Sequence, residues 1–316
     1  MEKPSKIDRQ KGMLWGLIVG DCLGSPLQFC NEPMPLVTEM LPCKFFNTPP
    51  GHWTDDSAMA LCIIESVVRL KKYDLKDIAN NFMRWFYDGF CSSLDFAFDV
   101  GLATQMGIFR IKYGEFSNGR EDSQGNGSIM RLAPTILING NDQTNRIIHE
   151  VSDLTHKSSV VEKTVDLMSD ICRTHLDGKK TGRKSEYSCR QEVNNSGWAV
   201  STLQAALWAF HTTNSFENAL ISAVNLGGDS DSIGAVTGQI AGAYYGYSAI
   251  PERWLAAIKD REKIDDLIDN FIEICNYQVY QKEHKTILEK LLAAFFRKQQ
   301  KIKNGSLEFE KNHIIL

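Results

Sequence analysis

The chain is patterned for helices along most of its length. From Ile7 to Leu23, the residues Met13, Leu14, Leu17 and Ile18 fall on one face of an α-helix. Similar spacing predicts further helices over about 55–64, 74–87, 92–111, 128–139, 145–154, 160–175, 197–210, 216–224, 232–247 and 261–275. No segment keeps the period-two alternation of a half-buried strand. We therefore predict an all-α fold, an orthogonal helical bundle.

Glycine recurs at every fourth residue in two of these helices. The first series is Gly12, Gly16 and Gly20, and the second is Gly234, Gly238 and Gly242. Each series leaves one helical face almost without side chains, which allows another helix to approach closely. We expect the two glycine faces to pack against each other at the centre of the fold.

Two regions differ from this helical pattern, and a further helix is predicted after them. Ser25–Pro50 holds six prolines and cannot form a long helix, so we expect a flap over the site. Residues 177–196 are polar and basic, which indicates an exposed loop. An additional C-terminal helix is predicted over about 280–302, and its broad apolar stripe needs cover from the domain or from another subunit. No linker divides the 316 residues, so we predict one domain, 1–316.

Composition and charge narrow the class of protein. With 43% hydrophobic residues the chain can bury a substantial core, and its net charge of −4 argues against electrostatic binding of a nucleic acid. The first residues lack an apolar signal core, and no apolar run is long enough to span a bilayer. The eight cysteines form no C-x-x-C pair, which favours reduced core thiols over disulfides or a zinc site. We expect a cytoplasmic protein with no membrane partner.

Two aspartates follow a glycine pair in Gly227-Gly228-Asp229-Ser230-Asp231-Ser232, where a helix begins. The glycines permit a sharp turn that can direct Asp229, Asp231 and Ser232 at one point. The positive end of the helix dipole and a shell of oxygen ligands would favour the ionised carboxylates. A plain Asp/Ser N-cap is the alternative, although a cap needs only one carboxylate.

A second acidic cluster of the same design begins another helix. Thr54-Asp55-Asp56-Ser57 follows a turn at Pro49-Pro50-Gly51. Adjacent aspartates at a helix start point about 100° apart, so each can face a different ion of a pair. The two clusters together offer four carboxylates and at least two hydroxyls. Such hard oxygen donors favour magnesium, manganese or calcium over zinc.

Six blocks in this sequence resemble the ADP-ribosylglycohydrolase family, which includes the dinitrogenase reductase-activating glycohydrolases and the ADP-ribosyl-acceptor hydrolases. The blocks are Gly16–Gly24, Trp53–Ser57, Phe98–Gly101, Gly125–Arg131, Leu154–His156 and Gly227–Gly246. They follow the family's order and cover about residues 10–275. The resemblance implies the family's helical fold and the hydrolytic removal of ADP-ribose from a modified acceptor.

The resemblance also implies a pair of divalent cations, with Mg²⁺ expected first and Mn²⁺ as the alternative. The expected ligands are Thr54, Asp55, Asp56, Asp229, Asp231 and Ser232. Either Asp56 or Asp231 is expected to take a proton from the attacking water as the glycosidic bond breaks through an oxocarbenium-like state. The sequence does not distinguish between these two bases.

Further residues are expected to bind the substrate. By resemblance, Asp99 would contact the ribose and His156 would hydrogen-bond the ligand. The alternatives are a surface acid within a helix for Asp99 and a histidine that complements a helix dipole for His156. Gly125-Asn126-Gly127-Ser128 precedes a predicted helix and can present backbone N–H groups to a diphosphate, although Asn-Gly is also a common turn.

One position departs from the family pattern. Relatives usually carry, in the proline-rich segment, a glutamate that joins a metal or closes over it, and Gln28 stands at the matching position. An amide oxygen can coordinate a cation but brings no charge. We therefore expect hydrolysis to persist at a higher magnesium requirement.

Two other functions are compatible with the same residues. One is a non-catalytic module that binds ADP-ribose, for which Gln28 is the best argument, and the other is a structural protein similar to family-related lens crystallins. Four carboxylates that repel each other without metal argue against both. The predicted partners are an ADP-ribosylated protein or small-molecule acceptor, with ADP-ribose as product. Nucleic acid is expected only as an ADP-ribosylated substrate.

Overall fold

The fold is built from α-helices. A computed structural model describes residues 3–29, 36–140, 142 and 144–281. Its helices are α1 Lys6–Gly24, α2 Asp55–Leu70, α3 Leu75–Asp88, α4 Leu102–Lys112, α5 Ala133–Asn139, α6 Arg146–Asp153, α7 Ser159–Leu176, α8 Ala199–Thr212, α9 Phe216–Val224, α10 Ser230–Tyr245 and α11 Glu252–Ala257. In these ranges the β-structure is limited to isolated bridges, so the predicted all-α class is confirmed.

All the helices named above belong to one compact unit that extends to Ile274. Residues 261–274 complete this unit with a further helix. A second unit begins at Cys275, and its residues 275–281 are helical. The predicted C-terminal helix at about 280–302 lies outside the described residues, apart from its first two positions.

The helices α1 and α10 lie side by side, and glycine allows their backbones to touch. A Cβ atom added at Gly16 would lie 2.1 Å from the carbonyl oxygen of Gly238, and one added at Gly238 would lie 1.8 Å from that of Gly16. The other pairs that meet in this way are Gly12 with Gly242 and Gly20 with Gly234. No side chain larger than hydrogen fits at this seam. The predicted packing of the two glycine faces is confirmed.

Several other helices pack around this pair. The helices α7, α8 and α9 pack against α10, while α3 packs against α2. Trp15 on α1 is fully buried, yet its Nε1 donates to Asp265 Oδ1 over 2.9 Å. Trp254 on α11 is also buried and donates to the carbonyl of Thr38 over 3.0 Å. These indole groups therefore add apolar burial without leaving a polar atom unsatisfied.

Two predicted helices begin later in the structure than the sequence pattern suggests. The segment 92–111 is helical only from Leu102, so the placement of Asp99 inside a helix was wrong. The hydroxyl of Ser92 donates to the carbonyl of Phe96 over 2.7 Å, a local bond that competes with helix formation. In the other segment, residues 126–128 form a 3₁₀ turn and the α-helix starts near Pro134, which lacks an N–H group.

Every cysteine in the described ranges is a free thiol. Five of them are buried as predicted, namely Cys22, Cys43, Cys62, Cys172 and Cys275. Cys91 is half-buried and Cys189 is exposed, so the prediction of core thiols was wrong for Cys189. Among the same residues, no helix is both long enough and apolar enough to cross a bilayer.

Candidate active site

The first turns of α2 and α10 bring the two acidic clusters together. Thr54 Oγ1 lies 3.3 Å from Asp56 Oδ2 and 3.5 Å from Asp231 Oδ2, although Thr54 and Asp231 are 177 residues apart in sequence. Ser232 Oγ lies 3.3 Å from the same oxygen of Asp56. We call the predicted metal ligands the acidic centre: Thr54, Asp55, Asp56, Asp229, Asp231 and Ser232.

Asp21 on α1 holds the start of α2 in place. Its Oδ2 atom accepts hydrogen bonds from the N–H and the hydroxyl of Ser57, at 3.0 and 2.5 Å. Its Oδ1 atom accepts from the N–H and the hydroxyl of Thr54, both at 3.0 Å. No side chain of α2 caps this end, so α1 provides the cap. Sequence reasoning gave Asp21 no role, although an acid within an apolar helix was a usable signal.

The carboxylates around this centre are costly to ionise. Burial raises the pKa of Asp21 and of Asp229 to about 6, although hydrogen bonds to each carboxylate oppose the shift. Burial and neighbouring carboxylates raise the pKa of the other three aspartates of the acidic centre well above the usual range. The guanidinium of Arg131 offsets part of this negative charge, even though burial lowers its own pKa to about 10. Additional positive charge would stabilise the ionised centre.

The oxygen donors of the acidic centre suit a hard divalent cation. Asp56 Oδ1 and Asp231 Oδ1 are buried and lack a hydrogen-bond partner in the described part of the chain. In that part, no three Asp, Glu, His or Cys side chains form a metal-binding group by themselves. The hydroxyls of Thr54 and Ser232 lie beside these carboxylates and are further oxygen donors. Oxygen donors of this kind fit Mg²⁺ or Mn²⁺ better than zinc.

A cavity of about 450 Å³ adjoins the acidic centre. Three residues of the acidic centre line this cavity, namely Asp55, Asp229 and Ser232. Two other groups of lining residues form much of its wall, together with residues 100–104 and Met130. We call Gly125, Asn126, Gly127, His156 and Gly197 the glycine loop group. We call Gln28, Phe29, Phe45, Phe46 and Asp99 the aromatic loop group. The volume is in the range of pockets that hold a drug-sized ligand.

The glycine loop group packs closely around an imidazole ring. A Cβ atom added at Gly127 would lie 2.4 Å from Cε1 and 2.9 Å from Nε2 of His156, so His156 itself requires glycine at this position. The N–H of Asn126 donates to the carbonyl of Gly197 over 3.0 Å. The N–H of Gly127 has no acceptor among the described residues, and Gly127 lines the cavity. Ser128 is not among the lining residues, and its N–H lies within the 3₁₀ turn of residues 126–128. The hydroxyl of Ser128 instead lies 2.8 Å from that of the buried Ser152.

A buried arginine supports the same loop. Arg131 donates to the carbonyl of Gly127 and, over 2.5 Å, to the hydroxyl of Thr155. That hydroxyl lies 2.8 Å from His156 Nδ1. Burial, together with the charge of Arg131, lowers the pKa of His156 to about 3, so the imidazole is neutral at physiological pH. Arg131 was not predicted as a site residue, although a lone cation within an apolar run was a usable signal.

In the aromatic loop group, Gln28 and Asp99 are hydrogen-bonded to each other. Gln28 Nε2 donates to Asp99 Oδ2 over 2.7 Å, and Gln28 is only 4% exposed. Gln28 Oε1 is buried without a partner in the described chain, although Gln28 lines the cavity. Asp99 has a left-handed backbone with φ of 58°. This conformation belongs to the loop that replaces the predicted helix and places Asp99 in the cavity wall.

The phenylalanines of this group were not predicted. The rings of Phe29 and Phe45 lie 5.2 Å apart, those of Phe45 and Phe46 lie 4.8 Å apart, and that of Phe46 lies 5.2 Å from Phe98. Phe45 is 63% exposed and Phe29 is 50% exposed. Sequence periodicity could not reveal them because they stand in irregular segments that only the fold brings together.

Comparison with known proteins identifies the family to which this chain belongs. The ADP-ribosylglycohydrolase family profile matches residues 2–165 and 158–281. The chain therefore belongs to the ADP-ribosylglycohydrolase family, and the predicted resemblance is confirmed.

Two relatives and one solved structure illustrate the similarity. ADP-ribosylarginine hydrolase Tri1 of Serratia proteamaculans is 32% identical over 287 residues, which are 83% of this chain and 78% of that protein. ADP-ribosyl-[dinitrogen reductase] glycohydrolase of Rhodospirillum rubrum is 28% identical over 284 residues, which are 82% and 92% of the two chains. The structure of an ADP-ribosylglycohydrolase-related protein complex has a TM-score of 0.75 and 33% identity, and the match covers 86% of this chain and 99% of that one.

Proposed function

We propose that this protein hydrolyses the glycosidic bond between ADP-ribose and a modified acceptor, and so reverses ADP-ribosylation. The observation that carries the proposal is the meeting of two acidic helix starts beside a cavity large enough for a nucleotide-sized ligand. A binding module would need the cavity but not the buried, mutually repelling carboxylates next to it.

Two divalent cations, Mg²⁺ or Mn²⁺, are the proposed cofactors, held by the acidic centre. When bound, they would acidify a water molecule and stabilise negative charge on ribose oxygens. Asp56 and Asp231 each keep one buried carboxylate oxygen without a protein partner in the described residues, so either can accept the proton of the attacking water. The hydroxyls of Thr54 and Ser232 help to orient these carboxylates.

Substrate binding is assigned to the cavity wall. Asp99 can accept hydrogen bonds from ribose hydroxyls, with its carboxylate held by Gln28. The backbone N–H of Gly127 lines the cavity wall and can donate to the diphosphate. His156 lines the cavity beside Gly127 and can form a further hydrogen bond to the ligand. Gly125 and Asn126 shape this loop, and Asn126 Nδ2 also donates to Asp229.

For the acceptor we propose arginine. The Serratia relative is named an ADP-ribosylarginine hydrolase, and its similarity extends over most of both chains. The exposed ring of Phe45 and the neighbouring ring of Phe46 offer faces on which a planar guanidinium can stack. The acceptor would then be an arginine side chain of a modified protein or an arginine-like small molecule.

The proposal is tested by incubating the protein and Mg²⁺ with matched peptides that carry ADP-ribose on arginine or on serine. We expect free ADP-ribose from the arginine peptide, and loss of this release in Asp55→Ala and Asp231→Ala. The exposed Asp122→Ala serves as the matched control and should remain active. Binding of ADP-ribose without release from any acceptor would favour the non-catalytic module.

A cytoplasmic location is also part of the proposal. The described cysteines are all free thiols, as expected in a reducing compartment. Fractionation of the source cells, with the protein detected by antibody, would test it.

A further inference from the structure

The side chains of Arg131, Thr155 and His156 form one chain of hydrogen bonds next to residues 125–128. Arg131 Nη2 lies 2.5 Å from Thr155 Oγ1, which lies 2.8 Å from His156 Nδ1. All three residues are buried. An arginine guanidinium can only donate, so the hydroxyl oxygen of Thr155 accepts from Arg131.

The single proton of the Thr155 hydroxyl determines which ring nitrogen of His156 carries the imidazole proton. In the described part of the chain, Thr155 Oγ1 has no polar contact besides Arg131 and His156. If Nδ1 carried the imidazole proton, both neighbours would donate to the hydroxyl, and the proton of Thr155 would be buried without an acceptor. An unsatisfied buried donor is costly. The hydroxyl therefore donates to an unprotonated Nδ1, which leaves the proton of the neutral ring on Nε2.

We infer that Arg131 and Thr155 are positioning residues that hold His156 in the Nε2–H tautomer, and that this N–H donates to a diphosphate oxygen of bound ADP-ribose. The tautomer follows from the protein alone, whereas the identity of the ligand rests on the proposed function. Nε2 is next to the glycine loop, since a Cβ atom at Gly127 would lie 2.9 Å from it and one at Gly125 would lie 3.4 Å from it. Two N–H groups, those of Gly127 and His156, then favour a ligand group that only accepts hydrogen bonds.

Arg131 contacts both the backbone of Gly127 and the hydroxyl of Thr155. The same guanidinium donates to the carbonyl of Gly127, so it ties the glycine loop to the residue that orients His156. Its position is further restrained by the ring of Phe82, whose centre lies 5.1 Å away. The nearby positive charge also disfavours an imidazolium, which agrees with the low pKa of His156. The donor directed at the ligand is thus held in one tautomer and one orientation.

The tautomer can be observed directly by ¹⁵N NMR of histidine-labelled protein at pH 7, with His156 assigned from a His156→Gln sample. We expect a protonated Nε2 and an unprotonated Nδ1 in the wild type, and a changed Nε2 resonance when ADP-ribose is added. A wild-type ring protonated on Nδ1 would overturn the tautomer. An Nε2 resonance that does not respond to bound ADP-ribose would overturn the contact with the ligand.

Variants of Thr155 separate positioning from folding. Thr155→Val removes the hydroxyl, so we expect loss of the tautomer preference and a roughly tenfold weaker affinity for ADP-ribose by calorimetry. Thr155→Ser keeps the hydroxyl and should retain both properties. Thr237→Val is the matched control, because the buried Thr237 hydroxyl donates only to the carbonyl of Ile233 over 2.7 Å.

The possible results distinguish the inference from the proposed function. If folded Thr155→Val keeps wild-type affinity, Thr155 is not a positioning residue. If Thr155→Val does not fold, the wild-type spectrum and the Thr155→Ser affinity decide the matter, and a tenfold loss in Thr155→Ser would overturn the inference. If the wild type shows the Nε2–H tautomer but binds no ADP-ribose, the ligand assignment and the proposed function fail while the tautomer stands.

Discussion

The acidic centre and the aromatic loop group border the same cavity but are built in different ways. The acidic centre stands on the first turns of two helices, and its Thr54 and Asp231 are fully buried. The aromatic loop group stands on irregular segments, where Phe29 and Asp99 have positive φ angles of 54° and 58°. Phe45 in the same group is largely exposed.

This difference separates two tasks of an enzyme. Helix starts packed on a close helix pair hold reacting groups in place, whereas exposed loops can change without disturbing the core. We therefore expect substitutions in the acidic centre or its support to affect the stability of the fold or the reaction itself. Substitutions of the exposed phenylalanines in the aromatic loop group should instead affect which substrates bind and how tightly.

The largest effect is expected at the seam that supports the acidic centre. Gly238→Val would drive a side chain into the carbonyl oxygen of Gly16, so we expect the free energy of unfolding to fall by about 3 kcal/mol. Urea unfolding measures this change. The matched control is Gly101→Ala, since a Cβ atom there meets nothing within 4 Å and should change stability little. Equal stability of both variants would contradict the close approach of α1 and α10.

The next largest effect concerns the reaction. Asp231→Asn keeps the side-chain shape but removes a candidate base, so we expect kcat to fall about 100-fold or more while the fold is retained. Release of ADP-ribose and circular dichroism measure the two quantities. A variant that keeps full activity would remove Asp231 from the mechanism and leave Asp56 as the base.

A pH experiment tests the cost of the crowded carboxylates. The pKa of Asp229 is raised to about 6 in the folded state against about 3.9 in an unfolded chain. The neutral carboxyl group of Asp229 therefore makes its full contribution to the free energy of unfolding below about pH 4, and this contribution is lost as the pH rises through about 6. In EDTA, Asp229→Asn should gain about 2 kcal/mol relative to the wild type at pH 8 and little at pH 4, measured by urea unfolding.

Magnesium provides the control for this experiment. Added Mg²⁺ should stabilise the wild type at pH 8 more than Asp229→Asn, because a bound cation favours the ionised carboxylate. A wild type that Mg²⁺ does not stabilise would contradict the proposed cofactors.

A smaller effect is expected in the aromatic loop group. Phe45→Ala and Phe46→Ala remove faces on which the acceptor can stack, so KM should rise about fivefold with kcat unchanged. Tyr113→Ala is the control, because Tyr113 is 81% exposed and is not among the residues that line the cavity. A fall in kcat without a change in KM would show that these rings act on the reaction instead.

The smallest effect is expected at Gln28. Gln28→Glu adds a negative charge near the acidic centre, so half-saturation with Mg²⁺ should need about two- to threefold less metal. The gain is limited because a glutamate would face Asp99 without a donor. Gln28→Leu, which adds no charge, should not lower the magnesium requirement. Activity that appears only in Gln28→Glu would favour the non-catalytic module.

The sequence predicted the acidic centre better than the aromatic loop group for a physical reason. A glycine turn followed by Asp and Ser at a helix start is a local pattern, and both Thr54–Ser57 and Asp229–Ser232 show it. The two glycine series likewise predicted the close packing of α1 against α10. Asp99 was placed in a helix because aromatic residues at 96 and 98 resembled a continued apolar face, while the structure uses them in a loop.

Contacts between distant segments were not accessible to sequence reasoning. The cap that Asp21 provides to α2, and the bond between Arg131 and Thr155, join residues whose partners are set by the tertiary fold. The family blocks included all of these residues, yet a block does not tell which atoms meet. Phe45 lies outside these family blocks, and it stands in a proline-rich segment without periodicity.

The cap of α2 by Asp21 links the site to the folding of the whole unit. Because the first turn of α2 depends on a carboxylate from α1, and Thr54 meets Asp231 of α10, the acidic centre exists only when three separate helices have assembled. An unfolded or partly folded chain therefore offers no equivalent site. A ligand that binds the native state alone shifts the unfolding equilibrium by mass action, by about 2.7 kcal/mol at one hundred times its Kd. Thermal shift on ligand addition thus reports assembly of α1, α2 and α10 as well as occupancy.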